Sequence, residues 1–555
     1  LKHILSGIFT ILNKREKLKL GQLIVFDLAI GLLDVVFLGL LLIVINFYTK
    51  NNVPASVRFL PKALLDPNSL TLIGVFLLLF SAKNWLGYLG LRSQHHFFYN
   101  IASRLSKRNI LNYLKDDYYQ FVNVDSSVRI RKISHQPIEF SHYVLTNFQQ
   151  AIAQSILIFF TVCAILVINP TLFVLLFLIL LPPVVAVAWY IRKKLKGIRA
   201  TTRLFSQKTI QHLQEALAGY VEGNVYKRYD FFIDRYDQFQ RQLNENLATM
   251  QSLQSLPSRL IEVFAVLGFF VLIMVNKWSA NAPAVDLFTI AVFMAASYKI
   301  IPGVVKILNC TGQMKTYQFT IADLLHSNYK TAGENRSPVS SVSSIKFQQV
   351  HFDYKDHGLL NGLSFEMMPG DFVGISGVSG KGKTTFINLL LGFLEPCTGN
   401  ILINDEIISG VYRQRYWDRI SYVKQQPFFI NDSVLKNITL DDGDYHAERM
   451  EEVLSFCGID QLLDKYPNGL EHVVKENGKN ISGGQRQRIM LARALYRDFD
   501  LLILDEPFGE MDHNTENDIL KQLKALTGQG KMILFITHNK ASLSFCNKVY
   551  SLDEE

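Results

Sequence analysis

Six apolar stretches, roughly Leu23–Phe47, Leu70–Leu91, Ala151–Ile168, Thr171–Ile191, Leu260–Val275 and Leu287–Leu308, set the strongest limit on what this chain can fold into. Each is long enough, or nearly so, to cross about 30 Å of hydrocarbon at about 1.5 Å per helical residue. In hydrocarbon every backbone N–H and C=O must be satisfied within the protein, so uninterrupted apolar runs predict helices. Asn169-Pro170 leaves only a minimal turn between the third and fourth. At 555 residues the chain exceeds one core, and a second domain is expected. A mean hydropathy of +0.15 suits a membrane domain joined to a water-facing one. The apolar run from Leu23 is too long for a signal peptide and lacks a small-residue cleavage site, so no cleavable signal is expected.

The net charge of +9 would suit nucleic acid, but its distribution argues against that. Lys and Arg crowd into alternate loops: Lys14, Arg15, Lys17 and Lys19 before the first segment, Arg104, Lys107, Arg108 and Arg129–Lys132 after the second, Arg192–Lys196 and Arg203 after the fourth. The intervening loops carry few charges, so the basic set is cytosolic and six crossings return the C-terminal part to the cytosol. A membrane protein with no nucleic-acid partner is the expectation. Cys163, Cys310, Cys397, Cys457 and Cys546 lie far apart, with no CxxC pair, and read as reduced thiols.

The two long cytosolic loops, about Arg92–Gln150 and Arg192–Leu256, read as amphipathic helical extensions. Near their middles Tyr118–Phe121 and Val221–Phe232 mix aromatics with charge, as tips able to dock on another domain would. The Ser-rich stretch Ser337–Ser344 looks like a linker. Beyond it short β-branched runs alternate with helical patterns, which predicts an α/β domain. The expected organisation is an all-α six-helix transmembrane domain over 1–325, a linker over 326–344 and an α/β domain over 345–555.

Gly377-Val-Ser-Gly-Lys-Gly-Lys-Thr384 fits GxxxxGK[ST], follows the apolar run Phe372–Ile375 and opens a helical pattern. Gly377, Ser379, Gly380 and Gly382 let backbone N–H groups wrap phosphates, and the helix N-terminus adds its dipole. Lys383 is expected on the β- and γ-phosphates, Thr384 on Mg²⁺ and Thr385 beside them. Leu501-Leu-Ile-Leu-Asp505-Glu506 reads as a buried strand ending in two carboxylates: Asp505 suits the Mg²⁺ shell, and Glu506 can polarise an attacking water. Ile481-Ser482-Gly483-Gly484-Gln485 precedes a long helical pattern and makes a second anion site.

At this point the chain resembles the ABC transporters, whose signature motif is LSGGQ. The resemblance implies that the signature of one subunit closes over ATP held by the other. It also implies roles for Tyr354, the aromatic that stacks on adenine; Gln425, which senses Mg²⁺ and the attacking water; Asp512 of the D-loop; and His538, the switch histidine on the γ-phosphate. Six helices before one such domain are similar to an exporter half-transporter, and the intact Glu506, His538 and Ser482 favour a homodimer with two composite ATP sites. There are two departures. Lys381 stands where the family has a small residue, and the D-loop reads Phe508-Gly-Glu-Met-Asp512 in place of Ser-Ala-Leu-Asp, which removes the serine's contact between the sites.

Ionisable residues at membrane depth are functional candidates. Lys83, Arg259 and Lys299 all fall toward the inner-leaflet half. The membrane half resembles the bacterial lipid-linked oligosaccharide flippases, in contexts such as Phe80-Ser-Ala-Lys83, Leu256-Pro-Ser-Arg259 and Tyr298-Lys299-Ile-Ile-Pro302. That implies a pyrophosphate-binding set, with the short outer segment Val53–Leu65 touching lipid tails. The competing reading is structural pairing: Lys83 with Asp27 or Asp34, Arg259 with Glu262. Export of drugs or peptides is the alternative within transport. No peptidase domain precedes the first helix, which argues against leader-cleaving export. An ATP-gated channel is disfavoured by the retained Glu506, and a soluble DNA-repair ATPase by the membrane helices.

Overall fold

The computed structural model describes residues 2–50, 70–115, 118, 124–168, 170–278, 287–326, 341–354, 357–378, 380–463 and 466–553. Ser379, the outer segment Val53–Leu65, most of the linker and the side chains of Lys299 and Tyr354 lie outside the described residues. The chain divides into two compact units, Leu1–Asp116 with Asn123–Lys330, and Asp117–Val122 with Thr331–Glu555.

The first unit is helical. Its main elements are α1 (Lys2–Ile11), α2 (Lys14–Lys50), α3 (Thr71–Leu114), α4 (Thr146–Ile168), α5 (Pro170–Ala218), α6 (Tyr229–Trp278), α7 (Leu287–Thr316) and α8 (Gln318–His326). All six apolar segments fall on these helices. Two, Lys14–Leu41 with mean hydropathy 2.4 and Thr71–Leu114 with 1.5, are long and apolar enough to cross a membrane among the described residues. Leu77, Leu78, Trp85 and Leu91 of α3 face outward, which suits lipid and not water. The core of the unit gathers Ile4 and Ile8 of α1, Phe98 and Leu105 of α3, and Ile321 and Leu324 of α8. Ahead of α4, the helical segments Ser126–Ile130 and Gln136–Glu139 alternate with π-helical turns at Arg131–His135 and Phe140–Leu145. The tip residues Val221, Tyr226 and Phe231 are exposed.

The second unit is α/β. β1 (Ile345–Tyr354), β2 (His357–Met367), β4 (Thr398–Ile403) and β5 (Glu406–Ile407) form an antiparallel sheet in the order β2-β1-β4-β5. β3 (Phe372–Ser376), β6 (Ile420–Val423), β9 (Leu501–Asp505), β10 (Met532–Ile536) and β11 (Lys548–Ser551) form a parallel sheet in the order β11-β3-β10-β9-β6. β7 (Asp432–Ser433) pairs with β8 (Val473–Val474). The period-2 alternation of strands divides the core: Leu501 and Ile503 join one cluster while Leu502 and Leu504 join the other. Both faces of β9 and β10 are therefore apolar, as a parallel sheet requires. The helices that carry the site are α9 (Lys383–Leu390), α10 (Gly483–Tyr496) and α11 (His513–Thr527). The unit also takes in Tyr118, whose ring lies 4.9 Å from that of Phe393 and whose hydroxyl accepts from Asn388 at 3.4 Å.

Candidate functional site

The site lies at the carboxyl ends of β3, β9 and β10, where α/β sheets place their ligands. Between β3 and α9 the chain turns through Gly380 and Gly382, at φ +87° and +88°. Those left-handed conformations are open to glycine and strained for other residues. They lead into the N-terminus of α9, which opens on Lys383. Thr384 is exposed, while Lys383 and Thr385 are buried.

Lys383 Nζ donates to the Gly377 carbonyl at 3.2 Å and to Glu506 Oε1 at 3.2 Å, and it also contacts His538 Nε2. His538 Nε2 stands 2.9 Å from the same Glu506 oxygen. The Gln425 amide donates to Glu506 Oε2 at 2.7 Å. Residues from three separate parts of the chain thus converge on one carboxylate. Glu506 has φ +49°, the left-handed region, and its N–H is tied to the Ile536 carbonyl at 3.0 Å. Asp505, one residue earlier, is buried at the strand end and accepts from the Tyr422 hydroxyl at 3.3 Å. Burial, and then the neighbouring Glu506 charge, push the Asp505 carboxyl above its ordinary range. Burial also raises the Tyr422 phenol, which therefore stays a donor.

The signature segment caps α10. Ser482 Oγ accepts from the Gln485 N–H at 3.4 Å, and Gln485 Oε1 accepts from the Ser482 N–H at 2.8 Å, a reciprocal capping box. That leaves Gly483 and Gly484 as the helix-opening residues whose N–H groups the capping box does not use. Asp512 caps α11 by accepting from the Thr515 N–H at 3.0 Å, a bond that holds its carboxyl below the usual range. The D-loop glutamate, which the sequence marked only as a departure, sits against the signature: Arg486 donates to Glu510 Oε2 at 3.0 Å. A Cβ on Gly483 would lie 1.4 Å from that oxygen. Arg486 and Tyr422 were not singled out by motif, since their contacts join segments far apart in sequence.

In the first unit Lys83 is buried and paired with Asp34. Its ammonium also lies 4.9 Å over the Phe80 ring. Asp27, the other candidate partner, instead accepts from Gln94 and, at 2.6 Å, from Gln149. Arg259 and Glu262 are exposed on α6, with no ion pair between them among the described residues.

A glycine-rich turn into a helix, a buried lysine at its start and a strand ending in two carboxylates define a P-loop ATPase. Residues 360–509 match the family described as ABC transporter. The chain is 30% identical over 220 residues to a "Probable ABC transporter ATP-binding/permease protein" of Haemophilus influenzae, covering 40% of each protein. It is 24% identical over 383 residues to an "ATP-dependent lipid A-core flippase" of Paraburkholderia xenovorans, 68% of this chain and 64% of that one. It is 26% identical over 393 residues to the protein of that name in Bordetella pertussis, 68% of this chain and 62% of that one. Each match spans less than two thirds of the relative's own length. Among solved structures, "Structure of a bacterial Atm1-family ABC exporter with ATP bound" matches with a TM-score of 0.77 at 18% identity, over 97% of this chain and 93% of that one. Residues 360–509 are thus similar to the ABC transporter family, and the fold is that of the ABC exporter structure it matches.

Proposed function

We propose that this chain is an ATP-hydrolysing exporter that works as a homodimer in a bacterial inner membrane, with its ATPase domain in the cytosol. The observation that carries the chemistry is the convergence of Gln425, His538 and Lys383 on Glu506. A carboxylate oriented from three sides suits general-base work on a water. Gly377, Gly380, Gly382 and Lys383 form a cradle for the phosphates of ATP, with Ser379 and Thr385 beside them and Tyr354 on the base. Ser482, Gly483, Gly484 and Gln485 with Asp512 would close the composite site from the second copy. The hard oxygen donors Thr384, Asp505 and Gln425 fit Mg²⁺. Bound there, Mg²⁺ would neutralise charge on the transferring phosphoryl group.

The substrate proposed is an anionic lipid-linked glycan, moved from the cytosolic to the outer leaflet. Two relatives named as lipid A-core flippases support a glycolipid at 24% and 26% identity. Arg259 is an exposed cation on α6. The Lys83–Asp34 pair favours a second reading, a general exporter of drugs, peptides or other lipids, because it neutralises one of three proposed headgroup cations. The test is ATPase stimulation in nanodiscs by a panel of polyprenyl-pyrophosphate glycans, lipid A, phospholipids, peptides and dyes. Stimulation confined to the glycolipids supports the flippase. A response only to dyes or peptides replaces it with the general exporter.

A further inference from the structure

Lys381 and Glu510 are two of the positions where the ATPase motifs depart from the family pattern, and they carry opposite charges. The Glu510 carboxylate lies against Gly483 at the opening of α10, held by Arg486 at 3.0 Å, and its own N–H donates to Gln487 at 2.9 Å. It fits there because Gly483 has no Cβ. The N-terminus of a helix attracts anions, so Glu510 already fills the place that the signature offers to phosphate. In the closed dimer proposed above, on which this inference rests, the second copy's ATP brings its phosphates to that place. Two anions cannot share it without a cation, and like charges brought together repel. The phosphate loop that arrives with the nucleotide carries two lysines. Lys383 is buried and bonded to Gly377 and Glu506. Lys381 is exposed, with no carboxylate bonded to it among the described residues.

We propose that on closure Glu510 leaves Arg486 and pairs with Lys381 of the second copy, an ion pair made twice across the symmetric interface. The pair takes the place of the missing D-loop serine contact as the link between the two ATP sites. Because the interface is isologous, each contact is made in duplicate and a single substitution acts on both.

The test uses the full chain in nanodiscs carrying Glu506→Gln, with ATP retained after removal of free nucleotide as the measure of closure. Glu510→Lys and Lys381→Glu are each expected to shorten retention about tenfold, because attraction becomes repulsion at two places. The double substitution is expected to restore retention to within about twofold of the parent. It still lacks the partner of Arg486, so recovery isolates the cross-subunit pair. A parent that retains no ATP overturns the closed dimer and the pair with it. A parent that retains ATP, with single variants that match it or a double variant that does not recover, overturns the pair alone. A second measurement does not depend on charge reversal. With the five native cysteines replaced by serine, Lys381→Cys and Glu510→Cys are expected to be joined between chains by a short bismaleimide with ATP present and not without it. Linkage in both conditions, or in neither, overturns the proposal.

Discussion

The side-chain amide of Gln425 donates to Glu506 Oε2 at 2.7 Å, while the other oxygen of that carboxylate faces Lys383 and His538. Each oxygen has its own orienting partner, so the carboxylate is held from both sides. Orientation of this kind separates binding from turnover. Glu506→Gln keeps the shape and the phosphate cradle, so ATP affinity is expected to stay within a few-fold. Turnover is expected to fall by about 10²-fold or more, the scale of a lost general base. Phosphate release and nucleotide binding on the same preparation check both halves, and near-normal hydrolysis removes Glu506 from the role.

Tyr354 ends β1 and is proposed to stack on the base without reading its edge. Stacking on an aromatic is worth about 1–3 kcal/mol and tolerates any base. Tyr354→Ala is expected to raise the apparent KM for ATP by about fivefold or more, while Tyr354→Phe and Tyr354→Trp leave it near the parent. An unchanged KM in the alanine variant places the base elsewhere.

Asp505 sets function against stability. Burial, then Glu506, raises its carboxyl, so its charged form is disfavoured in the folded state. A raised folded value favours folding at acid pH, and that help is lost as pH rises through the shifted value. Above the shifted value the ionised group is therefore a net cost. Asp505→Asn keeps an acceptor for the Tyr422 hydroxyl and is expected to raise the melting temperature of the nucleotide-free protein by a few degrees, with a smaller gain at acid pH. Mg²⁺-dependent hydrolysis is expected to collapse. Calorimetry at two pH values checks the sign, and a lower melting temperature at neutral pH refutes it.

Lys83 and Asp34 make the opposite case. Removing one member of a buried ion pair costs about 3–5 kcal/mol, and less here because the Asp34 side chain is 35% exposed, whereas replacing both by apolar residues is often neutral. Lys83→Gln is expected to lower the melting temperature clearly, and the double variant Lys83→Met with Asp34→Leu to recover most of it. A Lys83→Gln protein as stable as the parent, but unresponsive to anionic glycolipid, would return Lys83 to the substrate site.

Much of this architecture was legible in the sequence because it is written in local periodicity. The apolar runs read as helices since hydrocarbon permits little else, and the alternating short runs after Ser344 read as an α/β domain. Register over long separations was not legible. Asp27 and Asp34 lie seven residues apart on one helix, and nothing local says which of them meets Lys83; the packing of α2 on α3 gives Asp34 to Lys83 and Asp27 to Gln94, and α4 adds Gln149 to Asp27. The π-helical turns at Arg131–His135 and Phe140–Leu145 leave no compositional mark either. Glu510 was visible as a departure from the family pattern. Its seat on Gly483, 27 positions earlier by number, depends on how the strand end of β9 and the start of α10 are brought together.

The left-handed backbone of Glu506 bears on how such a chain can change over generations. A non-glycine residue at that φ gives up about 1–2 kcal/mol relative to its preferred conformations. Glycine or asparagine would sit there with less strain, so mutation alone would drift the position away from glutamate. On the role proposed for it, the work of the carboxylate is what holds glutamate there. In a duplicated copy freed from turning over ATP, position 506 would be among the first to relax, and the residue standing there serves as a record of whether a lineage still uses its own site.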